Sequence, residues 1–249
     1  MQYVLLRDLG IIDYLSAWNY QESLLQENVS VKSAYNKLPV DTTISQPDSP
    51  ALNLPTINYL LLLEHSPVYT LGKSGAAKNI LITEQEMNEK GIDFFKTNRG
   101  GDITFHGLGQ LVGYPIMDLE KFYTDIGRYL RELEEVIIRT ILEYGLKGER
   151  SPGETGVWLE PFIPGRARKI CAMGVRCSRW ITMHGFALNV NTDLDYFDYI
   201  VPCGIQNKQV TSLQKELNRT ILMQEVKQKL SRNFEEVFNV KLESEMKHT

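Results

Sequence analysis

The chain reads as one α+β domain built on a mostly antiparallel sheet flanked by helices. Three observations carry that expectation: strand-like runs crowd the middle of the chain, helix-period runs stand on either side of them, and no repeat or low-complexity tract interrupts the order. Composition suits one sizeable core. The 249 residues are 43% hydrophobic and 23% charged, with a formal net charge of −4. That excludes disorder as the dominant state and gives no global attraction to nucleic acid or anionic lipid.

Taken in order, QYVLLRDLG reads as a short strand, and Tyr14, Trp18, Leu24 and Leu25 share a helix face that runs to about Val29. From Ser33 to Thr56, Pro39, Pro47, Pro50 and Pro55 fall among small polar residues without a period, so residues 33–56 are expected to form an inserted surface loop. NYLLLLEH and VYTLG are strands, TEQEMNEKG a short helix, and IDFFKTNRGG a strand running into glycines. DITFHGLGQLVGYPIMDL reads as strand, glycine-rich bend and strand. Between Thr124 and Tyr144, Ile126, Leu130, Leu133, Ile137 and Ile141 recur at helical steps until Gly145 can end the run. GVWLE, KICAMGVRCS and WITMHGFALNV are three more strands. A helix from Ile221 to Phe238 and a frayed tail complete a single domain over residues 1–249, with residues 220–249 as C-terminal helix and tail.

Cys171, Cys177 and Cys203 cannot all pair internally, the first residues carry Arg7 and Asp8 where a secretion signal would be apolar, and no run is long enough to span a bilayer. A cytoplasmic, reducing location is expected, without a membrane partner.

The densest chemical signal is RGGDITFHGLGQLVGYP, in which Gly100, Gly101, Gly107, Gly109 and Gly113 interrupt strand material. Such glycines serve either tight turns or a backbone that a ligand approaches closely. The chain contains no GxxxxGK[ST] phosphate loop, and its cysteine and histidine spacings match no zinc pattern, so neither nucleotide cofactor nor metal is expected. Cys203 stands between a proline and a glycine, a placement suited to a nucleophile on a tight turn. Cys171 and Cys177 fall within an alternating strand, where a cysteine usually packs as a small hydrophobe. If that strand is regular, Lys169 shares a face with Cys171, Met173, Val175 and Cys177 and needs a partner or a task there. Arg166, Arg168, Lys169, Arg176 and Arg179 form a local basic stretch without an acid among them, a pattern that usually marks a solvated face.

RGGDITFHGLGQLVGYPI, RKICAMGVRCSRWITMHGFALNVNTDL and YIVPCGI with VTSL, preceded by EHSPVYTLG, together resemble the octanoyltransferase (lipoate-protein ligase B) family from about Asn58 to Leu213. The chain departs from the family pattern at Leu108, usually proline, and in the long 33–56 segment. The resemblance implies a biotin/lipoate protein ligase-like fold and transfer of an octanoyl group from octanoyl-acyl carrier protein to a lysine. The acceptors would be lipoyl domains of 2-oxoacid dehydrogenases and the glycine cleavage H protein. It implies that Cys203 carries the acyl group as a thioester and that Lys169 lowers the thiol's pKa. It assigns substrate binding to Arg99, Gly100, Gly101, Asp102, Ile103, Thr104, Phe105 and His106, to Ala172, Met173 and Gly174, and to Gly185, Phe186 and Ala187. Three rivals stay open: an ATP-dependent lipoate or biotin-type ligase, which needs no cysteine; a non-catalytic module that binds carrier or lipoyl domains; and a cysteine hydrolase.

The implied chemistry is reasonable from below. A thiol near pKa 8.5 is only about 3% thiolate at pH 7, and a neighbouring ammonium raises that fraction. Exchange of one thioester for another is close to neutral in energy and needs no ATP. The small residues Gly100, Gly101, Ala172, Gly174 and Ala187 are expected to leave an apolar slot for the acyl chain, in which each buried CH₂ contributes about 0.8 kcal/mol.

Overall fold

A computed structural model describes residues 1–37, 54–201 and 209–244. Its main sheet follows the order β12–β1–β2–β6–β10–β9–β8–β7. The strands are β1 (Gln2–Ile12), β2 (Asn58–His65), β6 (Gln110–Ile116), β7 (Glu149–Ser151), β8 (Glu154–Leu159), β9 (Arg168–Ser178), β10 (Ile181–Asn189) and β12 (Val240–Ser244). The ladders from β2 through β6, β10 and β9 to β8 and β7 are antiparallel, as expected. The β12–β1–β2 edge is parallel, and a two-residue strand β11 (Gln209–Val210) adds parallel to β9. A second sheet joins β3 (Val68–Leu71) to β4 (Asp93–Lys96) and β5 (Ile103–His106).

The run NYLLLLEH explains the layering. Its Leu60 and Leu62 face a core built with α3 (Ile126–Leu142) and α5 (Met223–Phe238), while Leu61 and Leu63 face one built with α1 (Tyr14–Tyr35). Strand alternation in a fully apolar run thus fills both faces of one sheet. Helices α1, α2 (Glu84–Glu89) and α3 start where side chains can take up free backbone N–H groups. Asp13 accepts from Ser16 N at 2.8 Å and Asp125 from Arg128 N at 2.9 Å. Thr83 and Glu86 form a reciprocal capping box at α2. Among the described residues no helix is long and apolar enough to cross a membrane.

Two boundaries are corrected. The expected 33–56 surface loop starts too early, and its far end is irregular as expected but buried. Helix α1 continues to Tyr35 because the buried Lys32 ammonium holds Asp118 at 2.8 Å and Glu120 at 3.0 Å. At the other end Thr56 is buried and donates to Asp118 at 2.9 Å. Residues 38–53, with Pro39, Pro47 and Pro50, lie outside the described residues. The expected C-terminal tail likewise begins as a strand: Asn239 ends α5 in the left-handed conformation (φ 51°), and Val240–Ser244 then pairs with β1, burying Val240. The short helix α4 (Leu213–Leu217) and strands β7 and β11 carried no readable period.

Candidate active site

Three glycine-rich segments meet because none has a side chain in the way. Gly174 on β9 pairs with Gly185 on β10, and the next residue, Phe186, pairs with Gly113 on β6. A Cβ on Gly174 would stand 2.6 Å from Gly100 O, and one on Gly185 would stand 2.2 Å from Gly113 O. The segment Arg99–Asp102 therefore crosses β9 at backbone contact, held by Gly100 N donating to Val175 O at 2.9 Å. Of the five glycines in the sequence signal, Gly100 and Gly113 are places of close approach within the protein, while Gly101 (φ 86°) and Gly109 (φ 77°) take the left-handed backbone of a turn. Gly185→Ala is expected to cost about 1–3 kcal/mol of stability, since backbone must move to admit the methyl. A variant that melts with the wild type would show that the floor has room.

Above this floor lies a cavity of about 580 Å³. It is lined by Arg99, Gly100, Gly101, Asp102, Ile103, Thr104 and His106, by Ala172, Met173 and Gly174, by Gly185, Phe186 and Ala187, and by Lys169. That size suits a small-molecule site. The five small residues expected to leave an apolar slot all line it. One assigned residue does not: Phe105 turns the other way, stacks on Tyr196 with ring centroids 4.5 Å apart and joins the core of the smaller sheet. Strand alternation explains it, since Thr104 and His106 take the cavity side. Cys203 lies outside the described residues, but Gln209 and Val210, soon after it, line the cavity, and Val210 pairs with Lys169.

Lys169 reaches the cavity because β9 is not regular. Ile170 and Cys171 both pack into the same core, so the alternation breaks there, and the β8–β9 register shifts between Val157 and Trp158. Lys169 thus leaves the expected shared face, while Met173 and Val175 stay packed against the core that holds Cys171. Burial pushes the Cys171 and Cys177 thiols above their ordinary pKa. Both are poor nucleophiles at neutral pH, as the reading of them as packing residues requires.

A buried polar chain supports the floor. Arg99 donates from Nε and from Nη2 to Thr70 Oγ1, at 3.3 and 2.9 Å. Thr70 Oγ1 lies 3.2 Å from His106 Nε2, and His106 Nδ1 lies 2.8 Å from Gln110 Oε1. Gln110 Nε2 donates to Phe105 O and to Asn189 Oδ1, and Asn189 Nδ2 donates to Thr211 O. Because Gln110 spends its amide hydrogens elsewhere, its oxygen must accept from His106, which sets the Nδ1–H tautomer and leaves Nε2 to accept from Thr70. Burial, with His65 and Arg99 nearby, drives the pKa of His106 well below the ordinary value, so it is neutral. His106 is a hydrogen-bonded polar residue of the site wall, and Thr70, Gln110 and Asn189 were not readable as part of its chain.

His184 is held in the left-handed region (φ 58°), receives Gln21 Oε1 on its backbone N–H and places Nε2 2.7 Å from Asn98 Oδ1. Burial with Arg99 and Arg176 brings its pKa down to about 3.

The basic stretch is not bare. Arg166 and Arg168 pair with Glu160, Arg168 with Glu216 at 2.6 Å, and Arg176 with Glu22 at 2.8 Å. Acids from elsewhere in the chain fold onto it, so the stretch carries less net positive charge than its own sequence suggests.

The lipoyl protein ligase A/B catalytic domain matches residues 13–235. An octanoyltransferase of Christiangramia forsetii is 56% identical over 95% of this chain and 96% of its own, and one of Flavobacterium johnsoniae is 55% identical over 95% and 97%. Among solved structures, a bipartite lipoate protein ligase from Thermoplasma acidophilum superposes with a TM-score of 0.65 at 18% identity, covering 99% of this chain and 88% of that one. A lipoate-protein ligase A bound with ATP gives 0.66 at 16%, covering 99% and 90%. These structures show the fold, and it is the expected lipoate ligase fold. With sequence, site and fold in agreement, the chain belongs to the lipoyl protein ligase A/B catalytic domain family, alongside its octanoyltransferases.

Proposed function

We propose that this chain moves an octanoyl group from octanoyl-acyl carrier protein onto a lysine of lipoyl domains, the first step of protein lipoylation, through a thioester on Cys203. The acceptors are the lipoyl domains of 2-oxoacid dehydrogenases and the glycine cleavage H protein, and the work is done in the cytoplasm. One observation carries the reading: Lys169 stands on the wall of a cavity floored by glycine and alanine, and the strand that follows the Cys203 segment pairs beside it.

In the first half-reaction the Cys203 thiolate, stabilised by the Lys169 ammonium, attacks the donor's carbonyl carbon. A carbon–sulfur bond to Cys203 forms, the one to the donor breaks, and the departing thiolate takes a proton from Lys169. In the second, the acceptor amine attacks the Cys203 thioester. The new carbon–nitrogen bond forms, the Cys203 thiolate leaves, and the amine's surplus proton goes to Lys169, restoring the starting pair. Backbone N–H groups in the glycine turns are available to steady the oxyanion.

Intact mass after mixing the protein with octanoyl-acyl carrier protein tests this. The expected result is one octanoyl adduct on Cys203, removed by hydroxylamine and chased onto an added lipoyl domain. Full transfer by Cys203→Ser, or transfer that requires ATP, would overturn it and favour the ATP-dependent ligase reading.

A further inference from the structure

The left-handed backbone at His184 puts an imidazole where strand alternation would not. On β10, Met183 and Ala187 pack on the α1 side of the sheet and Phe186 and Leu188 on the α3 side, so a regular strand would send residue 184 to the α3 side. At φ 58° its ring instead stands 6.3 Å from that of Trp18 and 6.3 Å from that of Tyr114, both packed on the α1 side. A side chain on such a backbone persists only where its surroundings hold it, and these outliers gather at functional sites. Here Gln21 Oε1 accepts from the N–H of His184 at 2.8 Å, and Asn98 Oδ1 accepts from Nε2 at 2.7 Å. With the proton on Nε2, Nδ1 carries a lone pair. His184 is 1% exposed and lines the cavity, yet Nδ1 has no hydrogen-bonding partner among the described residues. Neither has Nε2 of Gln21, the buried residue that anchors it.

Strand register places this ring at the far end of the slot. Beyond Lys169, the cavity-lining ladder runs from the Ala172–Ala187 pair through Gly174–Gly185 to Val175–His184. Its three residue steps, at about 3.3 Å each, make about 10 Å. An eight-carbon acyl chain, zigzagged at about 1.5 Å per bond, extends roughly 9 Å. A chain whose carbonyl stands on the Lys169 side therefore runs along small residues and ends its apolar course at His184.

We infer that His184 is a specificity-determining residue: its Nδ1 stops an apolar acyl chain near octanoyl length and accepts a longer one only if that chain ends in a hydrogen-bond donor. The inference deepens the octanoyl reading above and rests on it. A methyl group pressed against Nδ1 shuts solvent away from it, and a buried acceptor left unpaired weakens binding by about five- to a hundred-fold. In an open apolar slot, two further carbons would instead strengthen binding by about fifteen-fold. Chain length and end-group chemistry thus distinguish a slot closed by His184 from an open one.

The test loads acyl carrier protein with octanoyl, decanoyl or 9-hydroxynonanoyl groups, the last two matched in chain length, and follows transfer to a lipoyl domain by mass at limiting donor. In the wild type, decanoyl is expected to move at least about five-fold more slowly than octanoyl, and 9-hydroxynonanoyl faster than decanoyl. A plain apolar slot gives the opposite order for the matched pair, because burying an unpaired hydroxyl is costly. His184→Asn keeps a residue that tolerates the left-handed backbone and withdraws the ring from the slot. There decanoyl should overtake octanoyl, and the hydroxyl should lose its advantage. A wild type that moves decanoyl as fast as octanoyl, or prefers decanoyl to its hydroxyl match, overturns the inference whether or not the variant folds. So does a folded variant that keeps the wild-type order or slows all three donors alike, since a packing role does not sort chains. A wild type that moves no octanoyl group would instead remove the octanoyl reading itself, and the inference with it.

Discussion

Lys169→Ala is expected to lower octanoyl transfer at pH 7 by at least about a hundred-fold. Two losses combine in that figure. Without the ammonium, the Cys203 thiol returns towards its ordinary pKa of about 8.5 and its thiolate fraction at pH 7 falls to a few per cent. Without the amine, the base that takes the acceptor lysine's proton is gone, and a lost general base typically costs about 10²–10⁴-fold. The histidines do not substitute: His106 and His184 are buried and neutral, and their hydrogen bonds hold the wall together. The thiol titration is directly measurable by alkylation, because burial raises the pKa values of Cys171 and Cys177 and keeps their thiolates out of the neutral range. Raising the pH should restore acylation in the variant more than aminolysis. A variant that keeps both the acidic thiol titration and the wild-type rate would remove Lys169 from the mechanism.

The second large effect is on the fold rather than the reaction. His65, His106 and His184 lie together behind the cavity around Tyr14 and Tyr114, with His65 and His106 ring centres 5.8 Å apart. Burial brings the pKa of His65 down to about 4 and that of His184 to about 3, and His106 is pushed down by the same cause. The unfolded chain takes up these protons near pH 6.5, the folded chain only well below that. Between about pH 6.5 and 4 the unfolded state therefore binds more protons, and stability must fall as pH falls. From pH 7 to 5 the loss is of order 2 kcal/mol for each of His65 and His184, and His106 adds to it in the same direction. That is a large share of the stability of an ordinary domain. Over this range the paired carboxylates of Glu135, Glu216 and Glu225 keep their charge, since their partners hold their pKa values down. Urea unfolding at pH 7, 6 and 5 should show the drop concentrated between the last two. An unfolding free energy flat across that range would mean that the three imidazoles are not held neutral.

What the sequence made legible depended on range. Leu60 to Leu63, the capped helix from Ile126 and the apolar stripe of Val226, Leu230 and Phe234 announce themselves through neighbours a few residues away. The glycines of the site were legible too, because glycine inside strand material is a local anomaly whatever its cause. Three features were not. The strand Val240–Ser244 has its pairing partner at the opposite end of the chain. The last turns of α1 are kept by an ion pair between Lys32 and Asp118, which no short window contains. The acids that neutralise Arg166, Arg168 and Arg176 stand at Glu160, Glu216 and Glu22, so the stretch looked bare only when read by itself. Trp158 belongs with these. Its place beside Lys169 depends on a one-residue slip between two strands, and a slip of one residue reverses which side chains face the cavity.

The pairing of the first strand with the last has a consequence for synthesis. Strand β1 is synthesised long before its partner β12, which is complete only at Ser244. At roughly 5–20 residues per second, β1 waits about 12–50 s with one side open. Its other side must wait as well, for β2 more than forty residues on. During that interval Tyr3 and Leu5 are available to any other extended chain, and an unpaired strand edge is a template for aggregation. The few residues after α5 thus act as a closing seam for an edge made far earlier in synthesis.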